Sequence, residues 1–201
     1  LYGTYLYQKF LDDLYQDHDL IEVEEFADTI LEVAVENANY IFVGNKWKVD
    51  TATRRAVLDF VAHGNVAVLA TTDLDSILWN QLFSDCIFEN WYAHHREYEY
   101  YPDEKATFNF YHPDLELSDT SYTFLLDSEL GNIHYLWYCL PEDFFCEDNR
   151  QLIPIGSINT LGDHNCALLP HGEGYFVMHT TPMLMTNLAL MSSEWEEYNR
   201  K

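Results

Sequence analysis

Tyr40-Ile41-Phe42-Val43-Gly44-Asn45 is an apolar run that ends in turn residues, which is typical of a strand buried on both faces. Asp50 stands where a helix N-cap belongs, and apolar residues then recur at helical spacing up to Gly64, which suits a left-handed C-terminal position. Residues 65–70 form a second doubly buried strand pattern. Strand, helix and strand in this order predict a βαβ unit on a parallel sheet.

The residues around this unit repeat the alternation of helix and strand. Apolar residues four apart predict a helix over residues 4–17, and residues 19–23 predict a short strand. A second helix is predicted over about residues 24–38. After the second strand of the unit, Asp73 is predicted to cap a fourth helix.

The second half of the chain has a different pattern. Aromatic and polar residues alternate from residue 86 onward, which predicts a β-rich extension over about residues 86–150 packed on the sheet. Apolar runs at 165–169 and 175–180 flank a glycine-containing turn and predict a hairpin, followed by a terminal helix that reaches about Asn199. We therefore expect one α/β domain over residues 1–201 with a mostly parallel central sheet.

The charge balance restricts the partners of this domain. The chain has 34 acidic and 10 basic residues, so its formal net charge is −24. Such a surface is repelled by nucleic acid and by anionic membranes, so we expect no nucleic-acid partner and no electrostatic membrane patch. A soluble acidic surface is the simplest interpretation, and a role in binding divalent cations or a cationic partner stays open.

No membrane anchor or cysteine motif is evident in the sequence. The purest apolar run, residues 66–70, is far shorter than the roughly 18 residues of a membrane span. Because the chain opens on Leu1 rather than Met, we expect a piece of a larger protein, in which any anchor would lie outside these residues. The four cysteines lack zinc or dithiol spacing, and Cys139 and Cys146 could bridge a short loop, although unpaired buried thiols are the commoner case.

Polar side chains follow the predicted strands. In an open α/β sheet, ligands bind outside the carboxyl ends of the strands, and two threonine pairs there also precede helical segments that could receive an anion. The alternative is that these residues only cap helices and close turns. The candidate ligand-binding residues are Asn45, Trp47, Thr71, Thr72, Asp73, Thr180 and Thr181.

The sequence contains no catalytic constellation of a known kind. A nucleophile would be expected at a tight strand-to-helix turn, but the junction after Ala70 lacks flanking glycines, and Ser76 already falls in the helical pattern. His94 and His95 are adjacent, so on a strand they would point to opposite faces and would not share an ion. The sequence therefore predicts no catalytic residues, no metal site and no cofactor.

Several short motifs together resemble a known family. They are Tyr2-Gly3-Thr4-Tyr5, Tyr40-Ile41-Phe42-Val43, residues 58–65, Phe108-Asn109-Phe110, Ile155-Gly156-Ser157, Gly172-Glu173-Gly174-Tyr175-Phe176, His179-Thr180-Thr181-Pro182 and Thr186-Asn187. With these motifs the chain resembles domain of unknown function 4350, an uncharacterised bacterial membrane-associated family.

The resemblance implies a fold and a location. It implies a class I glutamine-amidotransferase-like, or flavodoxin-like, three-layer sandwich at the periplasmic face of the inner membrane. It also implies transmembrane helices before Leu1 and after Lys201 and a first strand before Leu1. Related domains occur in accessory proteins of gliding-motility-type membrane transporters. The amidotransferase cysteine and a matching His–Glu pair are missing here, so the activity of the wider fold is not carried over.

Three functions are compatible with this sequence. The first is a non-catalytic extracytoplasmic binding or scaffolding domain whose partners belong to a membrane protein complex. The second is a hydrolase or transferase whose site combines Thr71, Thr72, Asp73 and Thr180 with a histidine. The third is a carbohydrate-binding module that uses exposed aromatic residues such as Tyr100.

Overall fold

A computed structural model of the protein describes residues 3–23, 27–31, 37–82, 98–99, 106–110, 122–124, 136–137, 139–140, 152–158 and 163–187. Their helices are α1 (Tyr5–Leu14), α2 (Ala27–Leu31), α3 (Thr51–Ala62), α4 (Ser76–Leu82) and a final 3₁₀ helix (Pro182–Met185). Their strands are β1 (Asn39–Val43), β2 (Lys46–Trp47), β3 (Val66–Ala70), β4 (Asp73–Leu74), β5 (Tyr98–Glu99), β6 (Ala106–Phe110), β7 (Tyr122–Phe124), β8 (Leu136–Trp137), β9 (Ile153–Ile158), β10 (Asp163–His171) and β11 (Gly174–His179).

The βαβ unit predicted from the sequence is present as β1, α3 and β3. β1 and β3 pair in parallel over their whole length. Asp50 caps α3, because its Oδ1 accepts a hydrogen bond of 2.8 Å from the amide of Thr53. After the helix, Gly64 adopts a φ of 97°, a conformation that glycine takes without strain. The parallel pair and the helix between them confirm this part of the prediction.

The main sheet is mixed. Its strand order is β1-β3-β11-β10-β9-β6-β7. β11 pairs in parallel with β3, so β1, β3 and β11 form a parallel group. The pairings beyond β11 are antiparallel. The mixed α/β class agrees with the prediction, and the parallel group contains the strands of the βαβ unit.

A two-residue turn joins β10 to β11, and a link this short requires antiparallel pairing. Gly172 in this turn has a φ of 62°. A Cβ atom there would lie 2.6 Å from the backbone of Ala62, the last residue of α3. The next amide, of Glu173, donates a hydrogen bond of 3.0 Å to the carbonyl of Ala62. This turn therefore connects the two strands of the hairpin and also packs against the C-terminal end of α3.

The hydrophobic core lies on the α3 face of the sheet. α3 contributes Val57, Phe60 and Val61, which are buried against the inward side chains of β3, β10 and β11. α2 packs beside α3. This arrangement leaves the carboxyl ends of the parallel strands at one edge of the packed layer. The buried residues that complete this cluster are Trp47, Ala67, Leu69, Leu74, Leu78, Leu140, Leu152, Ala167, Leu169, Phe176 and Met178.

Two predicted elements differ at the start of the chain. The helix predicted over residues 4–17 is present but ends earlier, as α1. Residues 19–23, predicted as a strand, form no strand, and the side chains of Leu20, Ile21 and Val23 are exposed. A strand needs a hydrogen-bonded neighbour, and no described strand lies beside this segment. The predicted strand at 19–23 is therefore wrong.

Two helix boundaries also differ from the prediction. The helix predicted over residues 24–38 does not reach Ala38, because Asn37 adopts a φ of 60° just before β1. The fourth helix does not start at Asp73, which lies in β4. Asp75 performs the capping role instead, since its Oδ1 accepts a hydrogen bond of 2.9 Å from the amide of Ile77. Asp73 and Leu74, which the sequence placed at the start of the helix, instead form the short strand β4 and pair with β2.

Some sequence expectations fall outside the described residues. These are most of the extension at 86–150, including Tyr100, the terminal helix to Asn199, and Cys86 and Cys146. Cys139 and Cys166 are described, and both side chains are buried. Within the described ranges, every helix is too short or too polar to cross a membrane.

Candidate functional site

The carboxyl ends of the parallel strands bring the candidate residues into one region. β1, β3 and β11 are adjacent and parallel, so the segments that follow them start at the same edge of the sheet. A hydrogen bond of 2.9 Å from the Thr71 amide to the His179 carbonyl continues the pairing beyond β3 and β11. The predicted residues at this edge are Asn45, Trp47, Thr71, Thr72, Asp73, Thr180 and Thr181.

The two threonines after β3 bind backbone groups of the neighbouring turns. The Thr72 hydroxyl donates a hydrogen bond of 2.8 Å to the carbonyl of Asn45, across the gap between the β1 and β3 ends. The Thr71 hydroxyl donates to the Asp73 carbonyl at 3.1 Å and lies 3.3 Å from the Asp73 amide. Both hydroxyls therefore fix the loop conformation, as the capping and turn interpretation expects.

Asp73 forms ion pairs with two lysines at this edge. Its Oδ2 lies 3.2 Å from the Lys46 ammonium and 4.0 Å from that of Lys48. The carboxylate is nearly buried, whereas both lysines are mostly exposed. β2 and β4 form a two-residue parallel ladder that places Lys46 opposite Asp73. The lysines thus compensate a buried negative charge in a strongly acidic chain.

Trp47 is part of the core. Its side chain is fully buried, and its indole Nε1 donates a hydrogen bond of 3.4 Å to the hydroxyl of Tyr40. An aromatic ring that stacks on a ligand must present an open face, and this ring packs in the hydrophobic cluster. The structure places Trp47 behind the strand ends rather than at their surface.

The segment after β11 belongs to a buried polar network with the start of β10. The backbone amide and hydroxyl of Thr180 donate to the carbonyl of Asn165, at 2.9 and 3.3 Å. The Asn165 side-chain amide donates to the Thr181 hydroxyl at 3.4 Å. All three side chains are buried. The antiparallel pairing of β10 with β11 brings these two segments together.

His179 is buried within the same network. The amide of Thr181 donates to its Nδ1 at 3.2 Å, and the Thr181 hydroxyl also lies 3.2 Å from that atom. Burial lowers the pKa of His179 to about 4, so the ring is neutral near pH 7. Because Nδ1 accepts a hydrogen bond, the ring proton is assigned to Nε2.

A small cavity lies between the strand ends. Its volume is about 10 Å³, which is about the space of one water molecule. Ligand pockets for metabolites are typically about 300–1,000 Å³. Among the described residues, this cavity therefore has room for a water molecule but not for a metabolite. The cavity is lined by Leu69, Thr71, Leu74, Met178, His179 and Thr180.

Three residues of this region are not among the predicted ligand-binding candidates. Asn165 and His179 carry the buried network, and Lys46 pairs with Asp73. The position of His179, immediately before the Thr180-Thr181 pair, was the available signal. Within the described ranges, no three His, Cys, Asp or Glu side chains come close enough together to hold a metal ion.

Comparisons with solved structures show that similar folds are known. Neither a family model nor a curated protein matches the sequence. A solved structure, the mmIFT52 N-terminal domain, superposes with a TM-score of 0.58 at 12% sequence identity. The match covers 98% of this chain and 87% of that one. At this identity the similarity concerns the α/β fold alone.

Proposed function

We propose that the chain is a non-catalytic binding or scaffolding domain of a membrane-anchored, extracytoplasmic protein, and that its partners are components of a membrane protein complex. The observation that carries the proposal is the filled edge of the sheet, where the hydroxyls of Thr71, Thr72 and Thr180 donate to backbone carbonyls of the chain itself. Side chains that hold neighbouring loops in place stabilise a rigid surface, whereas a substrate site keeps donors and space for its ligand.

The finer assignments belong to the same proposal. A glutamine-amidotransferase-like, flavodoxin-like arrangement with a terminal hairpin and helix is supported by the parallel group β1, β3 and β11. Membership of the membrane-associated family and a periplasmic location rest on the sequence motifs, several of which have structural roles here. Asn187 binds the start of α1, and Gly172 packs on the end of α3.

A second candidate function is suggested by the contact of Thr181 with His179. A hydroxyl 3.2 Å from an imidazole nitrogen is the arrangement in which a base activates a nucleophile. Both side chains are buried, at 3% and 5% exposure, so a substrate would reach them only after the neighbouring segments move. The contact also has a structural use, because the Thr181 amide donates to the same nitrogen.

One experiment separates the two functions. The affinity-tagged parent protein is purified from detergent-solubilised membranes of its own cells, with a matched untagged preparation as background, and the same sample is assayed for hydrolysis of acyl and phosphoryl ester substrates. We expect defined membrane proteins to be retained in fixed ratios and no turnover above background. The Thr181→Val variant tests the alternative, because turnover that disappears in this variant would establish an enzyme and contradict the scaffold.

A further inference from the structure

The outer edge of β1 has backbone hydrogen-bonding groups that no described strand satisfies. The Val66 amide donates to the Ala38 carbonyl, and the Gly44 amide donates to the Ala70 carbonyl, so the even-numbered residues of this segment bond to β3. In a parallel ladder, alternate residues bond to one neighbour. The amides and carbonyls of Asn39, Ile41 and Val43 therefore point away from β3, and no described strand pairs with them.

This edge lacks the features that usually prevent pairing. Exposed edge strands are commonly protected by charged residues, proline or a β-bulge. The register of β1 on β3 is unbroken, and residues 37–45 contain no charged residue and no proline. Ile41 and Val43 are only half-buried although both are apolar. An uncharged edge in a chain of net charge −24 indicates a covered surface.

Self-pairing of β1 satisfies these groups. If two copies meet about a two-fold axis at Ile41, the strands run antiparallel, Ile41 faces itself, and Asn39 faces Val43 of the other copy. The three outward residues of each copy then form hydrogen-bonded pairs. A residue on a two-fold axis meets its own copy, so a charge there would repel itself. Ile41 is uncharged and therefore suits a position on the axis.

We propose that the outer edge of β1 is a dimer interface, at which a second copy of this chain adds its own β1 in antiparallel orientation and extends the sheet across two molecules. This inference goes beyond the scaffolding function, which names partners of other kinds and does not require self-association.

The first test is the mass of the purified chain in solution, measured by sedimentation equilibrium at several concentrations. We expect a reversible dimer of twice the 23.6 kDa chain mass. Its Kd should fall when NaCl is raised from about 0.02 M to about 0.5 M, because salt screens the repulsion between two acidic copies. A monomer at all concentrations and salt levels would overturn the proposal.

The second test is a pair of variants that make the same charge change. Ile41→Lys places like charges at the two-fold axis and should raise the Kd at least about tenfold. Ile77→Lys, on the 52% exposed side chain in α4, should leave the Kd unchanged. Circular dichroism checks that both variants are folded. Equal Kd values for the two folded variants would place the interface elsewhere and contradict the assignment.

Amide hydrogen exchange tests the edge without substitution. On raising the wild-type concentration through the Kd, exchange should slow at Asn39, Ile41 and Val43 but not at Tyr40 and Phe42, which already bond to β3. If exchange at Asn39, Ile41 and Val43 slows only when a different polypeptide is added, a strand of that polypeptide covers the edge. That result would overturn self-pairing. A monomeric chain that still retains membrane proteins would refute the dimer and leave the scaffold proposal standing.

Discussion

The side chain of Asn187 caps helix α1: its Oδ1 accepts a hydrogen bond of 2.9 Å from the amide of Leu6, which lies 181 residues earlier in the chain. The Asn187 amide also donates to the Gly3 carbonyl at 2.7 Å. Thr4, at the usual capping position, makes no capping hydrogen bond with its side chain. The last described segment therefore fixes the start of the first helix.

Replacing Asn187 by Ala should lower the free energy of unfolding by about 1 kcal/mol, because the α1 amide loses its acceptor. Asn187→Asp retains a side-chain oxygen in the same place, so its free energy of unfolding should fall by less. Urea unfolding followed by circular dichroism measures both variants. Equal losses for Ala and Asp would show that the hydrogen bond is not the source of the stabilisation.

Gly172→Ala should destabilise the protein by more than about 2 kcal/mol, since the new Cβ combines a left-handed backbone with a clash against Ala62. Gly64→Ala is the matched control, because it has a φ of 97° but its Cβ would meet nothing closer than 3.9 Å. Gly64→Ala should lower the free energy of unfolding by about 1–2 kcal/mol. Thermal unfolding of the two variants gives the comparison, and a larger loss at Gly64 would contradict the packing of the turn on α3.

Stability should fall between about pH 6.5 and pH 4 because of His179. Its pKa is lowered to about 4 in the folded protein, so the unfolded chain binds the proton first as the pH decreases. The free energy of unfolding then decreases by up to about 3 kcal/mol over this interval, and the loss from this group is complete below the folded pKa.

The measurement is urea unfolding at pH 7 and pH 4.5. His179→Asn removes the titrating group and should reduce the pH dependence, whereas His63→Asn, at an exposed residue, should keep the wild-type dependence. Comparing variants in this way removes the contribution of the carboxylates, which titrate in all three proteins. An unchanged slope in His179→Asn would mean that the ring is not held neutral by burial.

Arg54→Leu should cost about 3 kcal/mol of stability. The guanidinium of Arg54 lies 2.6 Å from Asp75 Oδ2, and both side chains are about nine-tenths buried. Removing one member of a buried pair leaves the other charge without compensation. The double variant Arg54→Leu with Asp75→Asn should recover part of this loss.

The exposed pair of Arg55 and Asp59 provides the control for that substitution. Arg55 Nε lies 3.6 Å from Asp59 Oδ2, and the two side chains are 84% and 64% exposed, respectively. Arg55→Leu should therefore change the stability by less than about 1 kcal/mol. Equal effects at positions 54 and 55 in urea unfolding would exclude burial as the cause.

The sequence predicted the parts of the fold that depend on local pattern. β1, α3 and β3 follow from apolar spacing together with the cap at Asp50 and the glycine at position 64. The cap of α1 could not be predicted, because Thr4 carries the usual signal and Asn187 is remote in sequence. For the same reason Asp73 was mistaken for a helix cap, since its true role depends on a ladder with β2.

The candidate site was predicted in position but not in its contacts. Parallel strands place Asn45 and Thr72 at one edge, and this follows from the βαβ pattern. Thr180 joins them because β11 pairs with β3, which the pattern did not predict. Whether a hydroxyl faces solvent or a backbone carbonyl depends on side-chain packing between segments that are distant in sequence. Trp47 illustrates the limit, because its position after β1 made it a ligand-binding candidate, whereas its side chain is buried in the core.

The position of β11 has a consequence for synthesis on the ribosome. It is the last described strand, yet it lies between β3 and β10 inside the sheet. A nascent chain that has emerged only as far as β10 exposes the inner edge of β3, where no strand is yet available. The sheet therefore cannot close until β11 has been synthesised, and chains that terminate before it would present that edge to quality-control proteases.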